Sequence, residues 1–95
     1  METDHSCDYV KNYSEIGTIQ KAHKVSYSVD KHTNGTLIKL VHTQNGRSLS
    51  VKCLCKSLSV EKAKNILLYF YENSVGIDNF LDILQDNNIK FTELT

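Results

Sequence analysis

Cys53-Leu54-Cys55 sets two thiols two positions apart. On a strand both would share one face, about 6.8 Å apart along the backbone, a spacing that a shared soft metal could use. Against that stands packing: free cysteine is among the most buried residue types, and the face continues into Leu49 and Val51. His42 does not complete a ligand set, because it falls on the order of 13 Å from Cys53 on the same pattern, beyond co-ligation. The expectation is a core pair, with metal or redox chemistry at Cys53 and Cys55 as the lesser alternative and no cofactor. His5 and Cys7, flanked by Asp4 and Asp8, form the other ligand-like group. They lack the second half that a metal site needs. Asp78, Asp82 and Asp86 recur at every fourth position, but one helical face cannot surround calcium and no EF-hand loop is present. They read as an exposed acidic stripe that could dock a basic partner. No serine lies in a nucleophile elbow with an implied base, and neither the P-loop nor the dinucleotide-binding fingerprint occurs. His42 reads as a partly buried histidine bonded to a neighbour, His23 and His32 as strand-end and turn residues. No catalytic residue is expected, and the chain is not read as an enzyme.

The elements that must position these groups are marked by glycine. Proline is absent and glycines number four. Asn34-Gly35 and Asn45-Gly46 each sit between alternating segments, the strongest short signal for a β-hairpin, because a type I′ turn needs positive φ at both central residues. With Asn45-Gly46 as a two-residue loop, Leu40 faces Val51, Ile38 faces Cys53 and His42 faces Leu49. With Asn34-Gly35 treated likewise, Val29 faces Leu40 and Tyr27 faces His42. Directly opposed residues share a sheet face. Both hairpins therefore place Val25, Tyr27, Val29, Ile38, Leu40, Leu49, Val51, Cys53 and Cys55 on one side, an agreement that a one-residue slip would destroy. The prediction is a three-stranded antiparallel meander over about 22–30, 36–44 and 47–55.

After the sheet the period changes. Ser59 is an N-cap candidate with Glu61 in the first turn. Val60, Ala63, Ile66, Leu67, Phe70 and Tyr71 fall on one arc of a helix over about 60–73, leaving Leu68 and Tyr69 outside it. Gly76 stands where a left-handed cap or sharp turn is expected. Asp78 can cap a second helix over about 78–86, with Ile77, Phe80, Leu81 and Leu84 inward. Residues 89–94 form a short edge strand or a docked tail. Residues 1–17 are polar and either flexible or add an element at Tyr9 to Tyr13. The rest, 18–95, reads as one small α+β domain, the two helices covering the apolar face of the sheet. A core of this size is modestly stable, so a homodimer or a partner would be unsurprising.

Ninety-five residues, 40% hydrophobic and 23% charged, suit one folded domain. The longest apolar run, Ile66 to Tyr71, is too short to span a membrane, and acids crowd the region after Met1 where a secretory signal needs an apolar stretch. The expected setting is cytoplasmic, with the three cysteines as thiols. Net neutrality hides segregation. Residues 18–58 carry Lys21, Lys24, Lys31, Lys39, Arg47, Lys52 and Lys56 against Asp30 alone, while the segments on either side are acidic. The derived pairing points Lys24, Ser26, Ser28, Asp30, Lys39, Thr43, Ser50 and Lys52 away from the core, with Lys39 opposite both Asp30 and Lys52. Lys24, Lys39, Arg47 and Lys52 are the nucleic-acid candidates, since basic strands can contact phosphates. No aromatic residue joins that face, which argues against base stacking. Leu37, Val41 and Leu54 share the outer face as an apolar cluster that suits a dimer seam or a protein contact, or else lies under the N-terminal segment.

From Val51 onward, the strand, Ser59 opening a helix, then Glu72-Asn73-Ser74-Val75 leading into Phe80-Leu81-Asp82-Ile83-Leu84-Gln85-Asp86, resemble the C-terminal part of the domain-of-unknown-function 6514 group. These are small uncharacterised proteins of spore-forming low-GC Gram-positive bacteria. The resemblance covers about a third of the chain. The chain departs from that pattern at Gly76-Ile77, where a Ser-Pro pair often opens the second helix. The resemblance implies no activity; it implies a bacterial cytosolic setting linked to sporulation or a mobile element.

The expected function is that of a small non-catalytic regulatory or adaptor protein. It would bind a protein partner through Leu68, Tyr69, the Leu37/Val41/Leu54 cluster and the acidic stripe. The alternative is a DNA-contacting accessory factor in transcription or site-specific recombination.

Overall fold

The computed structural model describes residues 9–18 and 21–94. Its sheet has five antiparallel strands in sequence order: β1 (Tyr9–Tyr13), β2 (His23–His32), β3 (Gly35–Gln44), β4 (Arg47–Cys55) and β5 (Thr92–Leu94). Helices α1 (Val60–Glu72) and α2 (Phe80–Asp86) stand between β4 and β5 in the chain. The expected three-stranded meander is thus the centre of a wider sheet. The Tyr9 to Tyr13 stretch adds an edge strand on β2, and the chain's last segment adds one on β4.

The β3–β4 hairpin closes as expected. Asn45 and Gly46 have φ of 54° and 74°, and Leu40 faces Val51, Ile38 faces Cys53 and His42 faces Leu49. The β2–β3 hairpin differs. Its two loop residues are Thr33 and Asn34, so Val29 faces Ile38 and Tyr27 faces Leu40, while His42 faces Val25 and Lys39 faces Ser28 rather than Asp30. Moving the loop by one position changes each pairing by two, an even number, and every side chain keeps its face. Within the turn, the Asn34 amide donates to the His32 ring at 3.0 Å. Gly35 opens β3 instead of completing the turn. At its φ of 149° a Cβ would lie 2.6 Å from the Cys55 carbonyl oxygen and 2.8 Å from the Lys56 Cα, so glycine serves close backbone approach here.

One face of the sheet forms the core. Val25, Tyr27, Val29, Ile38, Leu40, Cys53 and Cys55 pack against Ala63, Leu67 and Phe70 of α1, Phe80 and Leu84 of α2, and Val75 between the helices. Ser59 caps α1, accepting the Lys62 amide at 3.1 Å. The left-handed residue after α1 is Ser74, with φ of 54°, and not Gly76; there the Val75 amide reaches back to the Phe70 carbonyl at 2.9 Å. Asp78 does not cap α2. Asn79 holds that position, and its side chain accepts the Gly76 amide instead, so α2 starts two residues later than the spacing suggests. Thr36, on the core face and buried, donates from its hydroxyl to the Leu58 carbonyl, fixing the β4–α1 connection.

Buried Tyr27 joins the sheet to the inter-helix segment by donating from its hydroxyl to the Val75 carbonyl at 2.8 Å. Burial first, then the neighbouring Tyr13 and Tyr71, push the Tyr27 phenol well above its ordinary range. At the other edge, Tyr9 stacks on Tyr71 of α1 at 5.2 Å between ring centres. Lys11 donates to the Tyr71 carbonyl at 2.9 Å with its ammonium over the same ring. These contacts dock β1 on the end of α1.

Candidate interaction surfaces

The thiols of Cys53 and Cys55 are both buried. The neighbouring Cys55 thiol, followed by burial, holds the Cys53 thiol above its usual range. Among the described residues no cluster of three or more His, Cys, Asp or Glu surrounds them or occurs elsewhere. A thiol reached only by opening the core is a poor nucleophile and a poor point of metal entry. His5, Cys7 and their flanking acids lie outside the described residues.

One expected core residue and one expected contact residue are displaced from their expected environments. Leu49 is on the core face, as its pairing demands, yet is 61% exposed. Helix α1 has 13 residues, about 20 Å, whereas β3 has 10, about 34 Å. The lid is shorter than the strands, and the β3–β4 hairpin overhangs it. Leu54 is on the outer face but only 7% exposed, held between Leu37 of β3 and Thr92 of β5. It belongs to the fold rather than to an open contact patch. Leu37 beside it and Val41 further along β3 are half-buried.

On the overhang, Tyr13, His23 and His42 form a continuous stack across β1, β2 and β3. Ring centres lie 4.2 Å and 4.9 Å apart, with planes within 8° and 13° of parallel. Each histidine is also oriented through a ring nitrogen: His23 Nδ1 lies 2.8 Å from the Lys21 carbonyl and His42 Nε2 lies 3.3 Å from the Gln44 amide oxygen. His42 is thus bonded to a neighbour, as its pattern suggests. The stack itself was not legible, because it needs the Tyr13–His23 register, which requires placing β1.

The helical side carries a second surface. Tyr69 is 52% exposed and lines a groove of about 600 Å³ with Ile66, Leu58, Ile83, Leu84 and Ile89. Phe70 of α1 meets Phe80 of α2 edge-on at 6.0 Å between ring centres. Leu68, also outside the core arc and 36% exposed, does not line it. The sequence pattern singled out Tyr69 but not Ile66, Ile83 or Ile89, whose half-burial comes from the placement of the two helices. Asp78, Asp82 and Asp86 are all exposed, but only the latter two are on α2.

The basic candidates separate. Lys24, Lys39 and Lys52 lie on the outer face, Lys39 directly opposite Lys52, whereas Arg47 lies on the lid face at the overhang. No helix among the described residues is long and apolar enough to cross a membrane. Compared with protein-family models, with curated proteins and with solved structures, the chain finds no match in any of the three.

Proposed function

We propose that this chain is a small non-catalytic adaptor that binds a protein partner in the groove between α1 and α2. The exposure of Tyr69 above an apolar floor of Ile66, Ile83 and Ile89 carries the reading. Half-exposed tyrosine over aliphatic side chains is a common composition for a binding hot spot. A groove between two helices suits an amphipathic helix that inserts apolar anchors. Asp82 and Asp86 are exposed on α2 outside the groove lining, where a basic flank of the partner helix would meet them. The setting is read as cytoplasmic and bacterial, in line with the sequence resemblance of the C-terminal third.

The test is affinity capture from nuclease-treated extract of the producing cell, followed by reconstitution of the captured protein with purified chain. Tyr69→Ser should abolish the reconstituted complex and leave the thermal midpoint unchanged, while Leu68→Ser should retain it. Equal binding by both variants would remove the groove from the account.

A second reading rests on Lys24, Lys39 and Lys52 sharing a sheet face that neither helix covers. That face could bind DNA phosphates, making the chain an accessory factor in transcription or recombination. It requires DNA binding that weakens steeply with salt, and further when the three lysines are made neutral. A duplex whose mobility is unchanged at low salt would end this reading.

A further inference from the structure

The groove leaves the opposite end of the molecule without a role, and that end carries the inference. β5 pairs with β4 only over Lys52–Leu54. The preceding stretch of β4, from Arg47 to Val51, is bounded by β3 on one side only among the described residues. The two-residue loop at Asn45-Gly46 makes Gln44 and Arg47 a hydrogen-bonded pair. Alternation then turns the amides and carbonyls of Leu49 and Val51 toward β3, and those of Ser48 and Ser50 outward. Residues 47–50 are all exposed. Here a sheet edge and an uncovered apolar side chain, Leu49, coincide.

We infer that the Arg47–Val51 edge of β4 is a strand-addition site for an extended segment of a partner protein that alternates apolar and acidic residues. The backbone of Ser48 and Ser50 would supply the ladder hydrogen bonds. Alternation sorts the partner's side chains. Those on the lid face meet Leu49 and half-buried Val51, so they are apolar, and an acid near the hairpin meets Arg47. Those on the outer face lie beside Ser48 and Ser50, with Lys52 next along β4 and Lys39 directly beyond it, so they are acidic. The Tyr13–His23–His42 stack crosses β1, β2 and β3 at the same end of the sheet, and His42 is the residue directly opposite Leu49. An acidic chain also matches the charge of residues 18–58, where Asp30 is the lone acid against seven cations. The site is separate from the α1–α2 groove and does not depend on it.

The probe is a short, end-blocked, fluorescent peptide alternating Val and Glu, titrated into the full chain and followed by anisotropy and by amide chemical shifts. Three comparison peptides are used: Lys in place of Glu, scrambled order, and N-methylation of the amides that would face β4. Binding should weaken on the order of tenfold or more for each of the three. The largest shifts should fall on Ser48, Leu49 and Ser50. Ser50→Pro removes an outward donor at an edge position that tolerates proline and should abolish binding with little change in thermal midpoint. Should Ser50→Pro fold poorly, Leu49→Ser serves in its place and should weaken binding by a similar factor. Tyr69→Ser should bind the peptide as the native chain does, which separates this site from the groove. Equal binding of the N-methylated peptide, or shifts confined to α1 and α2, would overturn the proposal. So would Ser48 and Ser50 shifts that follow protein concentration alone, since the edge would then pair with a second copy.

Discussion

Val51 and Leu49 sit two positions apart on the same face of β4, yet Val51 is half-buried and Leu49 is the most exposed large apolar residue of the described chain. The difference runs across the whole sheet. One end, around Tyr27, Ile38, Leu40 and Cys53, is closed by α1 and α2. The other, around His42, Leu49 and the β3–β4 turn, has the same alternation and no lid. Alternation decides which face a side chain takes; the length and placement of the covering helices decide whether that face is dry. The covered end holds the core, and the overhang leaves the Arg47–Val51 edge of β4 open among the described residues.

Substitutions should divide along this line. The largest loss is expected from Phe70→Ala, which empties the centre of the covered end where Phe80 and the sheet meet; it should cost about 3–5 kcal/mol, read as a fall in the urea midpoint. Gly35→Ala follows, because its Cβ would press on the backbone at Cys55 and Lys56. A loss of about 1–3 kcal/mol is expected, and a neutral result would show that the β2–β3 reversal can move. Tyr27→Phe leaves the Val75 carbonyl unpaired and should cost about 1 kcal/mol at pH 7.

Tyr27 also gives a pH signature. Its folded phenol keeps the proton at pH values where the unfolded phenol, near 10, has released it. Unfolding is therefore favoured as pH rises past 10, by about 1.4 kcal/mol per further unit until the folded group also ionises. Denaturant midpoints measured between pH 8 and 11 should fall more steeply for the native chain than for Tyr27→Phe. Parallel curves would show that the phenol is not held in the core. At the overhang the effects shrink. His42→Ala should remove about 0.5–1.5 kcal/mol of ring stacking, and Leu49→Ser should change stability by no more than about 0.5 kcal/mol.

Much of the covered end was legible in the sequence. The Asn45-Gly46 turn, the face shared by Ile38, Leu40 and Cys53, and the Ser59 cap each follow from local chemistry, and the structure keeps them. The sequence pattern favours Asn34-Gly35 over the observed Thr33-Asn34 turn, because glycine after asparagine signals positive φ, whereas Gly35 is needed for room beside Cys55. The face assignment survived since the shift was even. Asp78 was misread as a cap for a related reason: Asn79 offers the same chemistry one position later and bonds to Gly76. Less of the candidate surfaces was legible. Tyr69 stood out from its helical arc, but the groove beneath it depends on where α2 lands. Leu49 appeared as core because periodicity carries no measure of how far a helix reaches. The outer-face position of Leu54 leaves contact or cover open, because the three residues of β5 are too short a pattern to place beside it.

Residue-resolved amide hydrogen exchange on the full chain tests the contrast between the two ends most directly. The amides of Ile38, Leu40 and Cys53 should exchange only through global unfolding, while those of Ser48 and Ser50 should exchange within roughly tenfold of the rate of an unstructured chain. Protection of Ser48 and Ser50 at the level of Cys53 in the dilute, unliganded chain would mean that the edge is already covered, and would contradict the account.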